Sequence, residues 1–278
     1  MTDLDQTTFA AEVQAAGPDL DPVRANLLLA REIAYAGLRL ADSLARLNAV
    51  TAQARAAVPA EAPPLERAAR LTRFLSDQAG YHGNYAAYTD PRNSFLNEVL
   101  ERRLGLPISL SVLFVAVARG LGLAAFGVGL PGHFIAGVTA AGQQFWVDLY
   151  GGAADLQPAD CLRLVRQATG FRGEFDPRWL TPTPGDETVA RMLNNLRNSY
   201  TTREDWPHAI RVLDRLVELQ PEHAPHRRDL GMLHFKAGAY QQASQHLGDY
   251  LALAPGAPDA ATVRQSRRLL LNEIARLN

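Results

Sequence analysis

Residues 105–120 read GLPISLSVLFVAVARG, and the fold turns on how this stretch is taken. Pro107 suits the first turn of a helix, where its missing N–H breaks no bond. From Ile108 to Val117 the apolar side chains (Ile108, Leu110, Val112, Leu113, Phe114, Val115, Val117) fall on every face rather than along one stripe. A helix of that kind is buried all round. The apolar run 106–118 is too short to cross a bilayer, which takes roughly 20 residues, and it carries Ser109 and Ser111. It is therefore predicted to be the central helix of a globular core.

The pattern changes on the C-terminal side. AAFGVGL (124–130), HFIAGVT (133–139) and QFWVDLY (144–150) are short and β-prone, separated by Pro-Gly and Ala-Ala-Gly, and predict successive antiparallel strands. On the N-terminal side, residues 22–57 carry apolar residues at three- and four-residue steps, with Gly37 marking a break between two helices. A Pro-rich connector (58–64), a helix over 65–79 and a loop through YHGNYAAYTDPRN follow. Asp90 reads as an N-cap with Pro91 at the first helical position, opening a helix through 93–103. A short helix near 158–168 and the proline-rich FDPRWLTPTPGD close this part. The fold class is α+β, with a buried helix against an antiparallel sheet and a helical N-terminal part, expected over 1–180.

Beyond residue 186 the chain repeats itself. Leu196, Tyr200, Trp206, Ala209, Leu213 and Pro221 match Leu230, His234, Tyr240, Ala243, Leu247 and Pro255, each at an offset of 34 residues. That period, with a small residue where two helices cross and a proline ending the second, resembles the tetratricopeptide repeat. An all-α module of two repeats capped by a helix over 260–277 is expected across 186–278. Stacked helix pairs of this kind build concave surfaces suited to peptides.

Bulk composition narrows the partners. With 28 basic and 29 acidic residues the formal net charge is −1, so bulk charge favours neither nucleic acid nor an anionic membrane. Cys161 is the one cysteine, so no intrachain disulfide can form. The start, MTDLDQTTFAAEVQ, is acidic and polar, unlike a secretion leader, and a cytoplasmic protein is expected. His82, His223, His226, His234 and His246 show no metal-ligand spacing, and no glycine-rich phosphate cradle precedes a helix. No metal and no cofactor are expected, and the oligomeric state stays open.

The chemistry concentrates around the central helix. His133 follows a Pro-Gly turn at the start of one strand, and Asp148 lies on the next, so the two can meet side by side. A nucleophile at the amino end of the helix would feel the positive end of its macrodipole, the geometry of an acyl-transfer site. Ser109 is the nearest hydroxyl in the first turn, and Ser111 lies further on. Ser109 has a simpler task available, bonding an unpaired backbone group at the helix terminus. Asn93 and Asn97, four apart, are expected on one helix face, as capping residues or as amides lining the cleft. Trp146 alternates with Asp148, to wall the cleft or to pack in the core. Asn84 reads as a turn residue.

From Tyr81 to Gly152 the order of Gly83-Asn84, Asn93-Ser94 with Leu96-Asn97, Gly105 to Ser111, Leu130 to Phe134, and Asp148 with Gly151-Gly152 resembles the SirB-type branch of the transglutaminase-like superfamily. The resemblance implies a papain-like α+β core followed by tetratricopeptide-like repeats. It also exposes a departure. The wider superfamily carries Gly-x-Cys at the start of the central helix, and a gapless count back from Gly122 puts that position at Pro107. Cys161 lies in another segment. Two functions are therefore expected in competition. One is a protein-binding or regulatory module that engages a protein or peptide through its repeats and cleft, with Asn93, Asn97, Ser111 and Trp146 as binding residues. The other is an amidase, peptidase or acyl transferase using Ser109, His133 and Asp148.

Overall fold

A computed structural model of the chain describes residues 6–140 and 142–277. Residues 1–5, where the leader reading begins, Ala141 in the expected strand turn, and residue 278 lie outside the described residues. The chain divides into two compact units between Met192 and Leu193.

In the first unit, helices α1 (Phe9–Ala16), α2 (Pro22–Ile33), α3 (Leu40–Ala57) and α4 (Pro64–Arg73) precede a π turn over Phe74–Gln78. A two-residue strand β1 (His82–Gly83) pairs in parallel with β2 (Leu104–Gly105), bringing Gly83 opposite Gly105. Between them lie a 3-10 turn (Pro91–Ser94) and α5 (Leu96–Arg102). The quoted stretch forms α6 (Pro107–Gly120), and most of its side chains are buried. An antiparallel sheet follows in the order β3 (Ala124–Val128), β4 (Ile135–Ala140), β5 (Gln143–Asp148), β6 (Ala153–Leu156), and then α7 (Pro158–Thr169).

The core forms because α6 has apolar residues to offer on all sides. Leu110, Leu113, Phe114 and Val117 pack with Ala136, Val138 and Val147 of the sheet and with Leu71, Leu75 and Val99 of the N-terminal helices. Each large side chain buried this way contributes about 1.5–3 kcal/mol relative to exposure. A second cluster joins Val128, Leu130, Ile135 and Leu156 to Cys161 and Val165 of α7.

Three expectations need correction. The helix predicted over 93–103 is broken, because Phe95 is extended (φ −96°, ψ 121°). The cause is Asn26, whose amide donates to the Ser94 carbonyl at 2.9 Å and whose oxygen accepts from Leu96 N–H at 2.7 Å. This buried side chain supplies the partners that a continuous helix would have used. Asn93 and Asn97 consequently sit on different elements and share no helix face. His133 lies in the turn that precedes β4 rather than at its start, after Gly132 with φ 71°.

The second unit continues α8 (Gly185–Thr202) with α9 (Trp206–Leu219), α10 (Ala224–Lys236), α11 (Tyr240–Leu253) and α12 (Ala260–Leu277). Pro221 and Pro255 stand just past the ends of α9 and α11. Ala243, Leu247, Tyr250, Val263 and Leu270 make its core.

Candidate functional site

His133 and Asp148 are in contact. His133 Nε2 lies 3.0 Å from Asp148 Oδ2, and both side chains are largely buried. A carboxylate can only accept, so Nε2 donates this bond, and in the neutral imidazole the lone pair falls on Nδ1. The second Asp148 oxygen accepts from Tyr150 N–H at 3.0 Å, which fixes the carboxylate. The next segment ties this pair to the start of α6. The Tyr150 ring lies on Gly83, where a Cβ would come within 2.5 Å of it, and Gly83 pairs with Gly105 immediately before α6. Ser111 O–H, in the first turns of α6, donates to the carbonyl of Phe134 at 3.2 Å, next to His133.

Ser109 is not brought to His133. Its fully buried hydroxyl accepts from Leu106 N–H at 2.9 Å and donates to the Asn93 carbonyl at 2.7 Å. Both bonds belong to the amino end of α6, where backbone N–H groups lack helical partners. The Ser109–His133–Asp148 triad is therefore not assembled, because the helix terminus and the preceding turn engage the serine. Cys161 is fully buried in α7, and burial first, then the charges of Asp160 and Asp148, push its thiol up to about 11. A thiol in that range stays protonated at neutral pH.

The remaining candidates divide. Asn93 is fully buried. It donates to the Ala87 carbonyl at 2.7 Å and accepts from the Asn84 amide at 3.0 Å, while Asn84 Oδ1 accepts from Ala87 N–H. The two amides thus shape the 84–93 loop. Asn97 Oδ1 is buried without a hydrogen-bond partner. Trp146 packs with the α7 cluster and lines a cavity of about 410 Å³ with Phe175, Leu180 and prolines. It is not assembled with the histidine.

Sequence reasoning missed the aromatic surroundings. The rings of Tyr85 and Tyr150 are 4.6 Å apart, those of His133 and Tyr150 6.1 Å, and Tyr85 O–H donates to the Tyr150 carbonyl at 2.9 Å. The Gly83-Asn84-Tyr85 run was the available signal, since a glycine within a strand marks close approach of another group. It also missed Arg191, whose guanidinium donates at 3.0 Å to the carbonyls of both Gly129 and Leu130 and lies 5.9 Å from the Phe134 ring centre. This side chain braces the loop that carries His133. Among the described residues, no group of three or more His, Cys, Asp or Glu is placed to hold a metal ion.

Comparison with known proteins agrees with this architecture. Residues 41–194 match the Transglutaminase-like superfamily. The chain belongs to that superfamily. Residues 196–268 match the Tetratricopeptide repeat, so a transglutaminase-like domain is followed by repeat helices. A UPF0162 protein of Xylella fastidiosa is 36% identical over 213 residues, covering 76% of this chain and 75% of that protein. A UPF0162 protein of Haemophilus influenzae is 24% identical over 229 residues, 82% of this chain and 85% of that one. Mouse F-box only protein 21 is 34% identical over 105 residues, 35% of this chain and 17% of its own length. A transglutaminase-like domain joined to tetratricopeptide repeats fits a protein-interaction module. Among the described residues no helix is long and apolar enough to cross a membrane.

Proposed function

We propose that this chain is a cytoplasmic protein-binding or regulatory module of the SirB-type branch. In this reading its transglutaminase-like domain has no working nucleophile, and it engages a protein or peptide through the repeats and the region around His133. The observation that carries the proposal is the engagement of the Ser109 hydroxyl within the α6 terminus. The buried, protonated state of the Cys161 thiol points the same way. Pro107, where the gapless count puts the family cysteine, is the first residue of α6 and offers no nucleophilic atom. The His133–Asp148 pair then acts as a fixed polar feature that orders Tyr150 and the segment before β4.

One observation favours the rival reading of a serine-dependent amidase, peptidase or acyl transferase. With Nε2 donating to Asp148, it is Nδ1 that carries the lone pair of the neutral imidazole, which a general base needs. A peptide-array screen with the full-length protein, followed by affinity measurement and mass analysis of the bound peptides, separates the two. Saturable binding of peptides that remain intact is expected. Time-dependent cleavage or acyl transfer that disappears in His133→Ala would overturn the proposal.

A further inference from the structure

The ring cluster beside His133 has a chemistry of its own. Tyr85 is 68% exposed and Tyr88 49%, both on the loop that the Asn84–Asn93 bond holds in place. Aromatic side chains of this size bury roughly 150–250 Å² when packed, so two of them left open on an ordered loop forgo a large apolar gain. The Tyr85 ring is nonetheless fixed in position. Tyr85 is tied by its hydroxyl to the Tyr150 carbonyl, and the two rings meet at 54°, forming a wedge rather than a stack. Tyr150 is seated on Gly83, which leaves no room behind it.

Asp148 is the charged group that acts on Tyr85 and Tyr150. Burial, then the charge of Asp148, raises the Tyr85 phenol. Burial, then Tyr85, Tyr88 and Asp148, pushes Tyr150 up to about 12. All three rings therefore stay neutral phenols whose faces carry the negative part of the ring quadrupole, and the Asp148 carboxylate acts on those of Tyr85 and Tyr150. That combination attracts a cation. Elsewhere in the chain such faces already hold one: Arg191 over Phe134, Arg228 over Tyr250, and Lys236 over Trp206 at 4.7 Å. Among the described residues no lysine or arginine lies over Tyr85, Tyr88 or Tyr150.

We propose that Tyr85, Tyr88 and Tyr150, backed by Asp148, form a recognition site for a cationic side chain, lysine or arginine, on a protein partner. This rests on the reading of the domain as a binding module and specifies the chemistry it selects. The ring faces supply the attraction, and the Asp148–His133 pair holds the carboxylate and Tyr150 in place.

The test uses the full-length protein with isotope-labelled tyrosine, followed by NMR. It is titrated separately with the blocked amino-acid amides N-acetyl-lysine methylamide, N-acetyl-arginine methylamide and the neutral N-acetyl-norleucine methylamide. Saturable shifts of the Tyr85, Tyr88 and Tyr150 signals are expected with one or both cations, and weaker or no saturation with the neutral amide. The relative affinities of the two cationic arms identify the preferred side chain. Tyr85→Leu, which keeps apolar bulk but removes the ring face, should weaken cation binding by roughly two- to fivefold, while Tyr85→Phe retains it. Equal response to the neutral amide, absence of saturable shifts, or unchanged affinity in a folded Tyr85→Leu variant would overturn the site. Intact peptides that bind without a basic residue would sink this proposal alone, whereas peptide cleavage would sink the binding reading on which it rests.

Discussion

Ser109 shows how one side chain's hydrogen bonds redirect a functional reading. As a serine in the first turn of a buried helix, it fits a nucleophile and a cap equally well. Its surroundings give it two buried backbone partners, Leu106 N–H and the Asn93 carbonyl. Ser109→Ala would leave both without that partner, at a cost of about 1–3 kcal/mol of stability. A lower urea midpoint with peptide affinity unchanged is the expected outcome, and an unchanged midpoint would show that the hydroxyl holds neither group. The sequence carries the choice of serine but not its direction, because the Asn93 carbonyl arrives from a turn 16 residues earlier. The same limit hid Tyr85 and Tyr150, whose contact depends on Gly83 meeting Gly105 rather than on any periodic pattern.

At the scale of elements, legibility follows periodicity. The repeat helices were readable from their apolar spacing and flanking prolines, and α6 from a continuous apolar run opened by Pro107, all of which act locally. β1, β2 and β6 were not, since strands of two to four residues give too short a run for alternation to register. The break at Phe95 was hidden because Asn26, on another helix, causes it. Helix crossing in the second unit gives a test of packing. A Cβ on Gly231 of α10 would lie 2.8 Å from the buried Leu247 side chain and 3.1 Å from the Ala243 carbonyl on α11. Helix propensity favours alanine over glycine by about 1 kcal/mol. Overpacking a filled crossing costs about 1–3 kcal/mol, so Gly231→Ala should destabilise overall. Chemical denaturation showing a stabilised variant would mean that α10 and α11 separate more easily than their contacts imply.

For the whole molecule, stability and function meet in the histidines of the repeats and the pair in the transglutaminase-like domain. His226 is almost fully buried and donates from Nε2 to Gln220 Oε1 at 3.0 Å. Burial first, then His223 and Arg197, lowers it from 6.5 to about 4. The unfolded chain therefore binds this proton more readily than the folded one. The group has no effect above about pH 6.5, and stability falls as pH drops from there towards 4, by up to about 3 kcal/mol. Thermal unfolding of the full chain should show a lower Tm at pH 5 than at pH 7, with a smaller difference in His226→Gln; equal differences would remove His226 as the cause. The central claim of the proposal concerns the other histidine: His133 and Asp148 meet beside α6, and among the described residues neither Ser109 nor Cys161 is engaged with them as an activated nucleophile. Intact-mass analysis of the native protein after exposure to a fluorophosphonate and, separately, to iodoacetamide tests this directly. The account predicts an unmodified Ser109 and a Cys161 that reacts only after unfolding. Rapid stoichiometric labelling of Ser109 that is lost in His133→Ala would contradict it.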